Sequence, residues 1–122
     1  MKIPAHRRDR YLRDPLPTRV GGIAANLARV ASFALSSSNP ALVEGLLYES
    51  KHFIEWSAPT APIETASILV ELQLALAQWQ SRWLKSNTDS TTRDSLRRFA
   101  NYWLERLLEM SGLLSQEAIE QD

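Results

Sequence analysis

The sequence predicts an all-α protein, a four-helix up-down-up-down antiparallel bundle with a basic N-terminal arm. Three observations carry that expectation. Apolar residues recur at alternating spacings of three and four along four separate stretches, the period of a helix with a buried stripe. The stretches are separated by SSSNP, SAPTAP and SNTDSTT, and connections this short favour antiparallel neighbours in a bundle. No alternating apolar run bounded by turn dipeptides occurs, so no segment reads as a strand.

The chain divides on this reading into an arm at 1–17, the bundle at 18–114 and a short acidic tail at 115–122. The arm is rich in charge and is interrupted by Pro4 and Pro15, with Ile3, Tyr11 and Leu12 as its candidate docking points. The first bundle helix starts at Thr18 and carries Val20, Ile23, Leu27, Val30 and Ala34 on one side. Its small residues, among them Gly21, Gly22, Ala24, Ala28 and Ala31, keep its surface low enough for a neighbouring backbone to come close. Asn39 and Pro40 suit the N-cap and first position of the second helix, which runs to about Trp56 and buries Leu42, Val43, Leu46, Leu47, Phe53 and Ile54.

The third stretch, Ile63 to Lys85, reads as the element around which the others are built. Thr65, Leu69, Leu72, Leu76, Trp79 and Trp83 form one seam along its whole length. Val70, Leu74, Ala77 and Leu84 form a second apolar face, leaving Glu64, Ser67, Glu71, Gln78, Arg82 and Lys85 as the wet strip. A helix in a bundle of this size needs one stripe, not two. The second face is therefore the candidate partner-binding surface, for a homodimer or for another protein. In the fourth helix, Thr91 and Asp94 have the spacing of a weak capping box. Leu96, Ala100, Trp103, Leu107, Met110 and Leu114 form its seam, and Gly112 is placed to end it.

Composition excludes some chemistries. With no cysteine among 122 residues, thiol nucleophiles, zinc-thiolate sites, iron–sulfur clusters and disulfides are all absent. Fourteen basic and fourteen acidic residues cancel, so the net charge gives no reason to expect a polyanionic partner. The ends are uneven: residues 1–19 hold six basic and two acidic side chains, and residues 104–122 hold five acidic and one basic, so the two ends can attract each other. The apolar run VGGIAANLARVASFAL contains Asn26 and Arg29 and is shorter than the roughly 20 residues that a membrane span needs. The expectation is a cytoplasmic chain with no membrane segment.

The arm supplies the competing class of function. Arg7, Arg8, Arg10 and Arg13 can contact phosphates and Tyr11 can stack on a base, although Asp9 and Asp14 dilute the patch. Glu49, His52 and Glu55 have the helical spacing that carboxylate metal bundles use. Such a site needs a second histidine pair, and the only other histidine is His6 in the arm, so neither a metal nor a cofactor is expected. The serines and threonines cluster in the polar breaks, where turns and caps account for them, and no phosphate-binding glycine loop or nucleophile motif is present. The function expected is a non-enzymatic interaction or oligomerisation module.

Overall fold

The computed structural model describes residues 3–36 and 38–120, with side chains through residue 116. It is all-helical, with no strand among the described residues. Five α-helices are present among them, α1 (Ala5–Arg13), α2 (Leu16–Phe33), α3 (Pro40–Ser57), α4 (Ile63–Ser86) and α5 (Ser90–Glu120), with a 3₁₀ turn over Ala58–Thr60. The segment expected to be an irregular arm is thus itself a helix over most of its length. No helix among the described residues is long and apolar enough to cross a membrane.

The apolar seams form the core. Val20, Ile23, Leu27, Val30 and Ala34 from α2 meet Val43, Leu46, Leu47 and Ile54 from α3. Leu69, Leu72, Leu76 and Trp83 from α4, with Leu96, Ala100, Trp103 and Leu107 from α5, complete it. Leu42 and Phe53, expected inside α3, are respectively exposed and half-buried, because α3 is covered over a narrower arc than its composition allows. Trp83 is fully enclosed and donates its Nε1–H to the Pro40 carbonyl at 2.8 Å, which ties the end of α4 to the start of α3. Ser111 Oγ donates to the Pro17 carbonyl at 2.9 Å and ties the second half of α5 to the start of α2.

The centre of this arrangement is α2 rather than α4. α2 makes the most extensive helix contact, with α5, and a second with α3. Its small residues permit this: a Cβ added at Gly21 would lie 3.8 Å from Ser111 Oγ, in ordinary contact and without room to spare. Gly21 and Gly22 lie inside the helix rather than marking its start.

Several ends differ from expectation. Asn39 stands at the N-cap of α3 but makes no side-chain cap bond, whereas Pro40 takes the first helical position as expected. At the start of α5 the cap comes from Asp89, whose Oδ1 accepts from the Thr91 N–H at 2.9 Å. Asp94 instead accepts from Arg97 and Arg98, both at 2.8 Å, and the Arg97 hydrogen bond holds its carboxyl below the ordinary value. α5 does not stop at Gly112 but continues to Glu120, so the start of the expected tail is helical. The acidic side chains of Glu117, Glu120 and Asp122 lie outside the described residues, as does Lys2.

Gly112 is exposed, no described glycine has a positive φ, and an added Cβ would meet nothing within 4 Å. Gly112→Ala should therefore raise stability by about 0.5–1 kcal/mol, because a mid-helix glycine is entropically costly. A glycine ending the helix in the left-handed region would give the opposite sign, and urea unfolding of the two chains decides between them.

Candidate protein-interaction face

α4 presents its two seams to opposite sides. Thr65 and Ile63 begin rows that repeat at alternating intervals of four and three, and an offset of two residues is about 200° around a helix. One row, Thr65, Leu69, Leu72, Leu76 and Trp83, is buried, and Trp79 is half-buried beside Phe99 with Arg82 over its ring at 4.7 Å. Trp79 and Trp83 therefore do not share one pocket wall. Trp83 is core, while Trp79 lines a shallow surface recess with Ala75, Gln78, Arg82 and Phe99.

The other row faces solvent. Val70, Leu74 and Leu84 are 42%, 64% and 61% exposed, and Ala77 is exposed with them. Ile63, Ser67 and Ser81 continue the same row and are exposed too. The residues expected on the second face are thus brought into one line, which none of the other helices covers. Ser67, expected on the wet strip, is exposed as expected, and its position in the repeat also places it on this row. The four-three interval, carried back to Ile63, was the signal for it.

The flanks of the exposed row differ. Glu64, Glu71, Gln78 and Lys85 recur every seven residues and are exposed. On the opposite flank, Gln80 Oε1 accepts from Lys51 Nζ at 2.7 Å and Gln73 Nε2 donates to the Lys51 carbonyl at 3.3 Å, so these side chains are tied to α3.

The arginine-rich segment is arranged by Tyr11. Its ring stacks on Phe53 with centroids 4.2 Å apart and lies 5.8 Å from Trp56. Its hydroxyl donates to the Arg19 carbonyl at 2.9 Å and accepts from Ser57 Oγ at 3.4 Å. Tyr11 is thus an anchor within the fold, and the ring expected to stack on a base is stacked on Phe53. Leu12 and Ile3 are half-buried with it. Arg7 pairs with Glu49 at 2.6 Å, while Arg8, Arg10 and Arg13 are exposed along α1. Arg10 and Arg13 lie in the last turn, where the helix dipole favours cations.

Glu49 is held by both oxygens: Arg7 bonds one, and Nδ2 of the buried Asn26 bonds the other at 3.1 Å. Arg29 completes the chain by donating to Asn26 Oδ1 at 2.9 Å. His52 contacts Glu55 at 3.1 Å and meets the Tyr48 ring edge-on at 4.5 Å. The expected trio is thus split, with Glu49 committed towards α1 and α2. Among the described residues no three histidine, aspartate or glutamate side chains converge as metal ligands. A groove of about 550 Å³ between the start of α4 and the second half of α5 has an apolar floor of Ile68, Met110 and Leu114, with Glu64, Arg106 and Glu109 in its lining.

Comparison of the chain with family models, with curated proteins and with solved structures gives no match.

Burial raises the Tyr11 phenol from 10.0 to about 12, with the Ser57 hydrogen bond opposing the shift. The folded state therefore holds the phenolic proton more tightly than the unfolded chain does. The stability this gives is complete below pH 10 and is lost as the pH rises towards 12. Spectrophotometric titration of the wild type and of Tyr11→Phe tests this: the phenolate signal missing from the variant should arise near pH 12, and a signal near pH 10 would mean that the ring is not docked.

Proposed function

We propose that this chain is a non-enzymatic oligomerisation module of the cytoplasm, acting through the exposed face of α4 formed by Val70, Leu74, Ala77 and Leu84. The observation that carries this reading is the register of that face. Single exposed apolar side chains are ordinary on any surface, and Leu35, Leu42 and Leu108 of this chain need no account. A row that keeps coiled-coil spacing from Ile63 to Leu84 is different, because that spacing matters only to another helix lying along it. On this reading α2 to α5 are an up-down-up-down antiparallel four-helix bundle. The ties from the end of α4 to the start of α3, and from α5 to the start of α2, support that topology. α1 acts as a strap over α3 rather than as a cover for α4.

A second reading is favoured by the exposure of Arg8, Arg10 and Arg13, which makes α1 a candidate nucleic-acid contact. It predicts binding of RNA or DNA that weakens steeply with salt. Replacing these three arginines with alanine should then reduce the salt slope by about three. Binding that the triple variant leaves unchanged would remove this reading.

The oligomerisation reading is tested by light scattering behind a sizing column. The intact chain should have about twice its single-chain mass of 13.8 kDa. Leu74→Glu should return that mass to a single chain without loss of helix content, since Leu74 lies outside the core. A wild-type chain that stays at single-chain mass at every concentration would refute it.

A further inference from the structure

The geometry points to a particular occupant for the exposed α4 face: we propose that it is α4 of a second copy, lying antiparallel across a two-fold axis between Leu74 and Ala77. The inference rests on the oligomerisation reading and adds the partner's identity, direction and register.

Two independent patterns on α4 select this arrangement. The first is charge. In an antiparallel pair of helices each flank of the seam faces the same flank of its copy, run in reverse. The flank Glu64, Glu71, Gln78, Lys85 is acidic at one end and basic at the other. Reversed against itself it places Glu64 beside Lys85 of the second copy, twice by symmetry, and Glu71 beside Gln78. In a parallel pair the same flank would face Ala66, Gln73 and Gln80, which carry no charge. The charged flank is also the one free to turn outward, because the other is held to α3 through Lys51.

The second pattern is size. With Glu64 set against Lys85, the seam meets itself as Leu74 on Ala77, Val70 on Ser81 and Ser67 on Leu84. Each layer pairs a large side chain with a small one, the alternation that lets facing helices interdigitate at close distance. Sliding one helix by seven residues keeps the seam but sets the two Glu71 side chains against each other. Sliding it seven residues the other way still places Glu71 beside Lys85 but sets Leu74 on Leu84 and Ala77 on Ser81, so charge fixes the direction, and charge and size together fix the register.

The absence of cysteine from the sequence makes the test direct. Ser67→Cys and Leu84→Cys are made singly in the full chain, at exposed positions, and treated with a short thiol cross-linker alone and as an equimolar mixture. The mixture should give a linked Ser67→Cys/Leu84→Cys pair, while neither variant alone links to itself, because like positions lie on the order of 25 Å apart along the antiparallel axis. Self-linking of Ser67→Cys in a species of dimer mass would mean a parallel pair, and a dimer with no links would mean a different face. The first overturns this inference and leaves the α4 face as the interface; the second overturns the α4 face too and leaves only that the chain dimerises. A single-chain mass for the wild type overturns this inference and oligomerisation together. Charge exchange gives a second readout: Lys85→Glu should weaken the dimer by roughly tenfold, and Glu64→Lys added to it should restore the affinity. No rescue would count against the register.

Discussion

The structure depends on how slim α2 is. A helix sandwiched between two others must let both backbones approach, and its glycines and alanines allow this without leaving voids: Ala24 and Ala34 are buried, and the Gly21 surface passes beside Ser111 of α5. The large side chains of the core then come mainly from the partners, with Val20, Ile23, Leu27 and Val30 as the apolar ridge on α2 itself. A Cβ at either glycine would make ordinary contact, 3.8 Å from Ser111 Oγ at Gly21 and 3.9 Å from Tyr11 Cε2 at Gly22, so it is side chains larger than alanine that this surface would not take.

Placing α2 at the centre moves α4 to the outside. α4 packs on α3, on the 3₁₀ turn and on α5, and these neighbours consume one of its two seams. Because the seams start two residues apart, they point in nearly opposite directions, and α3, the 3₁₀ turn and α5 lie against only one of them. The outward seam is thus a consequence of topology: once Leu69, Leu72 and Leu76 turn inward, Val70, Leu74 and Ala77 have nowhere else to go. The docking of α1 on α3 adds to this, since Tyr11 and Arg7 anchor that helix away from α4.

What was legible in the sequence follows the range of the interactions concerned. The four core seams were read correctly almost residue by residue, because a period of three and four is a property of one helix and needs no knowledge of its neighbours. The exposure of the second face of α4 was half legible: the repeat shows which seam turns inward, but not whether the N-terminal segment or a neighbouring helix covers the other. The helix of α1 was not legible. Its nine residues AHRRDRYLR have no sustained period of their own, and a helix that short is marginal without tertiary support, here the stacking of Tyr11 on Phe53. Gly112 misled for the converse reason. A glycine late in a helix signals a stop only when the backbone takes up the left-handed conformation, and α5 instead carries through it.

Glu49 shows how tertiary pairing reassigns a residue that local spacing had singled out. Beside His52 and Glu55 it resembled a ligand set, yet one oxygen is taken by Arg7 of α1 and the other by Asn26 of α2. The buried Asn26 amide requires both a donor and an acceptor partner, and Glu49 and Arg29 supply them on opposite sides. The glutamate is thereby, like the Tyr11 hydroxyl, a point at which α1, α2 and α3 meet through polar atoms. It removes Arg7 from the arginines free to act on a ligand and fixes the helix that carries the others. Arg8, Arg10 and Arg13 stay exposed on that helix, and the flank of α4 along Glu64, Glu71, Gln78 and Lys85 is exposed as well. Fixed charges beside an exposed apolar row cost the monomer nothing and discriminate between ways of covering that row. On the proposed antiparallel pairing their order along α4 bears on the partner, while Glu64 in the first turn and Lys85 in the last also suit the dipole of α4 itself.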